Sequence, residues 1–416
     1  MDGRQFGVSS GDILMTAKAS SRWYVTLMAA CFLTWSVFGS LVSTSGLVEL
    51  IRGEMGLSYS EGGFLLSVPF PLITLFALMG GVFVDRLGVQ RMARLGALLV
   101  LAGGLLRVWS WGYWQLVIGI ALVGAGAGLI FPVLPKVARE TAPPDSRETA
   151  AAFYTAAVVT GAAMGVAFSG FMASILPSVP FVSAESSWRG GYLIWACALF
   201  VTFIVWERVG SRSLAEIGDE ESGGGGESSF SPWRSRTVWA VTAALFVNNV
   251  LFYTGIGWFP SILESKGWGL GQAALIVSFV AWLGIIAVLT AHKISPLVGG
   301  IPRMVMICVL LIVVILVALP PSGRWAAAFG IVLIGFAMNF WFVLCMGYPA
   351  RAVPAASVGQ AGGMIIGLGY FGGFVGPWAA GAIRDAAGDF GPALYAMAAL
   401  TLVSLLTAQS FGRPAE

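Results

Sequence analysis

Few side chains in this sequence could do acid–base, nucleophilic or metal chemistry. His292 is the single histidine. The four cysteines, Cys31, Cys197, Cys308 and Cys345, each stand alone in apolar sequence, with no CxxC or Cys/His cluster to hold a metal or frame a disulfide. No intramembrane carboxylate pair or nucleophile constellation is present, so an embedded enzyme is not expected, and no cofactor or metal is implied. What stands out is neutral: the amides Asn248, Asn249 and Asn339, each inside an apolar run. An amide in hydrocarbon needs a partner, so these face the interior of a helix bundle, bonding to another helix or to a solute. One guanidinium, Arg107, also falls at membrane depth, where a charge is costly and a candidate for function. It lies near the end of its apolar run and could instead snorkel to the surface. Attraction of an anion and an outer structural anchor are its two readings.

The elements that must position these groups are membrane helices. Of the 416 residues 57% are hydrophobic and only 10% charged, far below the ~25% charged residues of soluble domains. Twelve apolar runs are long enough to cross a bilayer. They span residues 23–48, 62–84, 92–111, 113–137, 149–176 and 188–207, then 237–262, 270–292, 302–320, 325–348, 357–383 and 390–411. Runs of this length satisfy their own backbone as helices, whereas a membrane barrel needs short alternating segments. The expectation is an all-α membrane protein of two six-helix, pseudo-symmetric halves, residues 23–207 and 237–411. They are joined by a solvated Gly/Ser-rich linker, 208–236, and flanked by tails at 1–22 and 412–416. No cleavable signal peptide is evident, and Met15 is an alternative start to Met1.

Basic residues set the expected orientation. With the N-terminus in the cytoplasm, roughly 17 of the 23 Lys and Arg fall inside, as the positive-inside rule requires. Arg86, Arg91, Arg94, Arg208 and Arg351 are among them, while Arg52, Arg189, Lys266, Arg324 and Arg384 stay outside. A multi-pass protein of the inner (plasma) membrane with both termini cytoplasmic follows. The halves also repeat weakly. The fourth and tenth runs each end in Pro plus Arg, at Pro135–Arg139 and Pro349–Arg351. The fifth carries Gly161 and Gly165 where the eleventh carries Gly372, Gly373, Gly376 and Gly381. Duplicated halves are the architecture of a rocking carrier.

Between the second and third runs lies Gly81-Val-Phe-Val-Asp85-Arg86-Leu-Gly88-Val-Gln-Arg91. It resembles the GxxxDRxGxR signature loop of the major facilitator superfamily, in the position that family places it, and so implies the twelve-helix major facilitator fold. By that resemblance Gly81, Asp85, Arg86, Gly88 and Arg91 belong to gating, as a latch on the outward-facing state. The second copy, Ala287 to Lys293 with Ser295-Pro296 and Arg303, has lost its acidic residue. The run Gly376-Pro377 to Arg384-Asp385 and Gly388 resembles small-anion carriers of the superfamily, including cyanate-porter and nitrate/nitrite groups. Gly103-Gly104 to Arg107 and Trp258-Phe259-Pro260 look like the cyanate-porter group.

The same resemblance implies a cavity lined by spans 1, 2, 4, 5, 7, 8, 10 and 11. Polar and aromatic residues on those spans become candidate substrate contacts: Trp35, Ser36, Ser40, Phe131, Tyr154, Asn248, Asn249, Tyr253, Asn339, Trp341 and Tyr370, with Arg107 from span 3. No Arg stands inside spans 1, 2, 7 or 8, and no Asp or Glu is central, since Glu49 and Glu264 fall at outer ends. An uncharged, amide- and aromatic-lined cavity follows, suited to a weakly hydrated small anion or a small neutral molecule and unsuited to polyanions. The expected function is alternating-access transport of a small molecule, a small anion foremost, with efflux of apolar or aromatic compounds as the alternative. A coupling proton or counter-anion, a monomeric state and no nucleic-acid partner are also expected. A non-transporting sensor or scaffold is the reading from another class, and the short linker and tails leave it no signalling domain.

Overall fold

The computed structural model describes residues 10–131, 133, 137, 142, 143, 146–175, 186–210, 230–354 and 357–413. Within these, the side chains of 10–22, 77, 80–87, 147, 148, 151, 152, 210, 288, 292, 350, 358 and 359 are not described. Gly81, Asp85, Arg86 and His292 therefore lie outside the described side chains, and linker residues 211–229 lie outside the described residues.

Every regular element among the described residues is helical. The first half contains α1 (Ser10–Val42), α2 (Val48–Met55), α3 (Tyr59–Ser67), α4 (Pro69–Leu87), α5 (Val89–Val108), α6 (Tyr113–Ile130), α7 (Arg147–Ile175) and α8 (Trp188–Val205). The second contains α9 (Arg236–Ser265), α10 (Leu270–Ile294), α11 (Ile301–Ala318), α12 (Arg324–Met346), α13 (Tyr348–Ala352), α14 (Val358–Tyr370), α15 (Gly372–Ala387), α16 (Gly391–Val403) and α17 (Leu405–Ala408).

Among the described residues, eleven stretches are long and apolar enough, taken singly, to cross a membrane. The remaining crossing, second in chain order, is α3 followed by α4, broken at Val68–Pro69 because Pro69 brings no backbone N–H to the ladder. The eleventh, α14 followed by α15, is broken at Phe371. The first helix differs from the expectation at both ends. Helix α1 begins at Ser10, because residues 12–22 hold neither Gly nor Pro and continue the helix toward the N-terminus. It ends at Val42, where a 3₁₀ turn (Ser43–Gly46) leads into the short α2.

Small residues let the backbones approach, the usual means of packing helices where lipid supplies no hydrophobic drive. A methyl group on Gly96 of α5 would sit 2.8 Å from the Gly126 carbonyl oxygen of α6. On Gly165 of α7 it would sit 2.6 Å from the Gly39 oxygen of α1, and on Gly376 of α15 2.6 Å from the Val250 oxygen of α9. The last two contacts are counterparts in the two halves, fifth crossing on first and eleventh on seventh. Gly88, at φ +77°, makes the turn between α4 and α5 that a side chain would strain. Exposed tryptophans, Trp109, Trp111, Trp114 and Trp325 at one end and Trp233 and Trp239 at the other, form the interfacial belts of a membrane protein.

The halves meet along two seams. Helix α7 packs on α10, where Gly170 faces Ala274. Helices α3 and α4 pack on α15 and α14, where Gly63 faces Pro377, Phe70 faces Gly373 and Leu78 faces Gly367. At the end of the bundle that carries Tyr59 and Asp385 the second seam is tight. The Trp378 N–H donates to Ser67 Oγ at 3.0 Å, and within the second half Trp258 Nε1–H donates to the Pro377 carbonyl at 2.9 Å. Toward the other end, Gly362 and Gly363 of α14 border open space.

Candidate functional site

A cavity lies between the halves. The first half contributes Phe38 and Val42 from α1, and Thr155, Val158, Val159 and Ala162 from α7. The second contributes Asn249, Phe252 and Tyr253 from α9, Ala281 and Gly284 from α10, Asn339, Phe342 and Val343 from α12, and Tyr370 from α14. These sets fall at i, i+3, i+4 spacing, the signature of a single face on each helix. Helices α9 and α12 present the same pattern, Asn-x-x-Phe followed by Tyr253 or Val343. Among the described residues, no lining side chain is charged.

The polar groups are few. Asn249 is 2% exposed, and its Nδ2 has no hydrogen-bond partner among the described residues. Asn339 donates from Nδ2 to the Val280 carbonyl at 2.6 Å and the Gly335 carbonyl at 2.8 Å. Its oxygen is thereby turned toward Gly284, whose missing Cβ would lie 2.7 Å away. Tyr253 and Tyr370 stand with ring centroids 6.0 Å apart, Tyr253 against Phe70 at 4.1 Å and Tyr370 edge-on to Phe131 at 5.4 Å. Phe131 in turn meets Phe38 at 5.6 Å. An aromatic wall thus runs continuously from one half to the other. Such a wall takes flat or apolar surfaces, and the two amides supply directional hydrogen bonds.

Of the substrate contacts expected from sequence, Asn249, Tyr253, Asn339 and Tyr370 come together in this lining. The others lie elsewhere. Asn248 is fully buried and donates to the Met338 carbonyl at 3.0 Å, tying α9 to α12. Ser36 shares a 2.7 Å hydrogen bond with Thr202 of α8. Trp35 packs on Trp195 at 5.2 Å, and Tyr154 on the cluster around Cys31 and Ala157. Trp341 is buried on α12, outside the lining. Phe38, Thr155, Phe252 and Phe342 were not anticipated. Their signal was the helical face they share with a polar candidate, as Phe252 does with Asn249 and Tyr253.

Arg107 does not line the cavity, and of its two expected readings its contacts fit the structural anchor, with the side chain 0% exposed and folded inward instead of snorkelling. Its Nη1 donates to the Ser40 carbonyl at 2.9 Å and to Ser43 Oγ at 3.4 Å, and its Nη2 to Ser40 Oγ at 2.5 Å. Its Cζ sits 4.3 Å from the centroid of the Tyr192 ring. Gly104 and Gly119 leave room for the side chain to fold inward. No carboxylate pairs with it among the described residues. The guanidinium therefore fastens α1 to α5 at the point where α1 gives way to its 3₁₀ turn. Ser40→Ala removes one acceptor from this buried charge, and is expected to lower stability by about 1–3 kcal/mol. Denaturation of the purified protein in detergent measures it.

Of the residues expected to gate, two can be placed with their surroundings. Gly88 forms its turn, Arg91 is exposed, and the side chains of Asp85 and Arg86 lie outside those described.

Comparison with known proteins bears on the whole chain. It is 26% identical over 379 residues to the 2-nitroimidazole transporter of Escherichia coli (strain K12), covering 89% of this chain and 91% of that protein. It is 27% identical over 271 residues to the uncharacterized transporter YycB of Bacillus subtilis (strain 168), covering 64% of this chain and 62%, just under two thirds, of that relative. Among solved structures, the inward open xylose transporter XylE from E. coli superposes with a TM-score of 0.73 at 15% identity, over 95% of this chain and 97% of that one. An inward-facing, unoccupied bacterial homolog of the human lysosomal transporter Spinster superposes equally well, with a TM-score of 0.73 at 16% identity over 94% and 98%. Those two likenesses show the fold. The family model of the Major Facilitator Superfamily, which groups small-molecule transporters and not enzymes, matches residues 24–377. Twelve crossings in two halves, a central cavity between them and a family match over most of the sequence agree: this chain belongs to the Major Facilitator Superfamily.

Proposed function

We propose that the chain carries small, flat, uncharged solutes across the inner membrane by alternating access, with both termini in the cytoplasm. The observation that carries this reading is the cavity itself, which is formed by both halves, walled by aromatic rings, furnished with two amides and free of charged side chains. An aromatic heterocycle with a polar substituent matches such a lining. The E. coli relative, a 2-nitroimidazole transporter, supports the same class. The basic residues support the orientation. In that orientation the tight Asp385 end faces outward and the open Gly362 end faces the cytoplasm, so the structure is read as the inward-open state of a monomeric carrier.

A small weakly hydrated anion, as in the cyanate-porter-like resemblance, is the second reading. Its support is the unpartnered Asn249 Nδ2–H, a neutral donor that anions accept. Proteoliposomes separate the two. Entry of radiolabelled 2-nitroimidazole above that into protein-free vesicles, with cyanate and nitrate left at the background rate, is the expected result. Flux of the anions alone would establish the second reading, and no flux of any of the three would count against both.

A further inference from the structure

The start of α3 is capped from two sides. Within its own half Ser58 and Glu61 form a capping box: Glu61 N–H donates to Ser58 Oγ at 3.1 Å and Ser58 N–H donates to the Glu61 carboxylate at 2.8 Å. That leaves the N–H groups of Tyr59 and Ser60, the first two of the helix, without an acceptor in their own half. They donate to Asp385, 2.9 Å to Oδ1 and 2.6 Å to Oδ2, across the boundary between the halves. The neighbouring Arg384 places its guanidinium carbon 4.5 Å from the centroid of the Tyr59 ring, and Arg52 of the first half lies 3.3 Å from the same centroid. Trp258 and Phe390 of the second half close around that ring at 5.7 and 5.5 Å.

The placement of Asp385 runs against its own helix. It stands in the last turn of α15, where the helix dipole disfavours a negative charge. The compensating stabilisation comes from the positive N-terminal end of α3, and only while the halves touch. Arg52 is held by Glu49 at 2.7 Å, and among the described residues no cation forms an ion pair with Asp385.

We infer that Arg384 and Asp385 form a charge latch on Tyr59 and Ser60, which holds this end of the carrier shut and must break each time it opens. This rests on the alternating-access reading and goes beyond it, because it assigns the closing force to two residues that do not line the cavity. Neutralising Asp385 removes the charge-assisted part of both hydrogen bonds and leaves the cavity untouched.

The test follows the distance between spin labels at Gly53→Cys and Ser265→Cys, exposed positions on opposite halves at this end, in full-length protein with Cys197→Ser, reconstituted in lipid. Asp385→Asn is expected to raise the ratio of the long to the short separation by about tenfold, with Asp385→Glu restoring most of the original ratio. Arg384→Gln is expected to shift it in the same direction by a smaller factor. A wedge variant, Gly381→Leu, serves as the reference for the open distance. If the wedge populates the long separation and Asp385→Asn leaves the wild-type ratio unchanged, the latch is wrong while the carrier reading stands. If neither variant produces a long separation, both are wrong.

Discussion

Gly381→Leu is expected to reduce transport by roughly 100-fold or more while the protein still folds and inserts. Gly381 lies in α15 directly against the first turn of α3, where a side chain would run into the Tyr59 carbonyl group and approach the Ser60 Cα. These are backbone atoms, and no rotamer change relieves the overlap. Overpacking a well-filled site costs about 1–3 kcal/mol, and the upper end applies where backbone must move. The conformation with the halves separated at this end avoids the clash altogether, so the substitution selects that state instead of unfolding the chain. A carrier confined to one state binds solute and does not move it. Flux into proteoliposomes should fall to background, whereas binding, followed as a ligand-induced rise in apparent melting temperature, should persist. Loss of folded protein on size-exclusion chromatography would instead identify Gly381 as a packing residue alone.

Asn249→Leu should separate binding from stability. The Asn249 amide is buried with an unpartnered Nδ2, so the empty cavity gains nothing from that donor and bears its desolvation. A leucine of similar volume removes the unpaired group, and the solute-free protein should be as stable as the wild type or slightly more so. A solute whose acceptor meets this donor loses its partner in the variant, at a cost of roughly 10- to 100-fold in affinity. Equilibrium binding measured beside thermal unfolding reads both effects. Unchanged affinity for every solute that the wild type binds would remove Asn249 from the site.

The fold was legible because lipid imposes one rule, that each crossing be a run of about 20 apolar residues satisfying its own backbone. The break at Pro69 and the continuation of α1 back to Ser10 were harder to see, since neither alters hydropathy. Within the site, Asn249, Asn339, Tyr253 and Tyr370 were visible as polar atoms on spans expected to face inward. Ser36 and Trp35 met the same criterion and turned elsewhere. Ser36 lies two positions from Phe38, on another face of the same helix, while Trp35 is turned onto Trp195, and tertiary packing decides which side chains look into the cavity. Phe252 and Phe342 were hidden for the opposite reason: in composition a phenylalanine facing solute is indistinguishable from one facing lipid. Arg107 shows the limit of reading depth from position, because a long side chain near a helix end can turn inward when glycines leave space and serine oxygens wait there. Asp385 was present in the sequence as a residue, but its partner is 326 positions away.

The central claim is that one cavity between two halves opens alternately to the two faces of the membrane. A single cysteine at Thr155, in a chain whose four native cysteines are replaced by alanine, reports on it directly. A membrane-impermeant thiol reagent is applied to vesicles from one face or the other. In the parent chain, modification should be fast from the face that carries Gly88 and slow from the face that carries Asp385. Adding Gly381→Leu should reverse that order. The same order of rates in both chains, or equal rates from both faces in either, would contradict alternating access at this cavity.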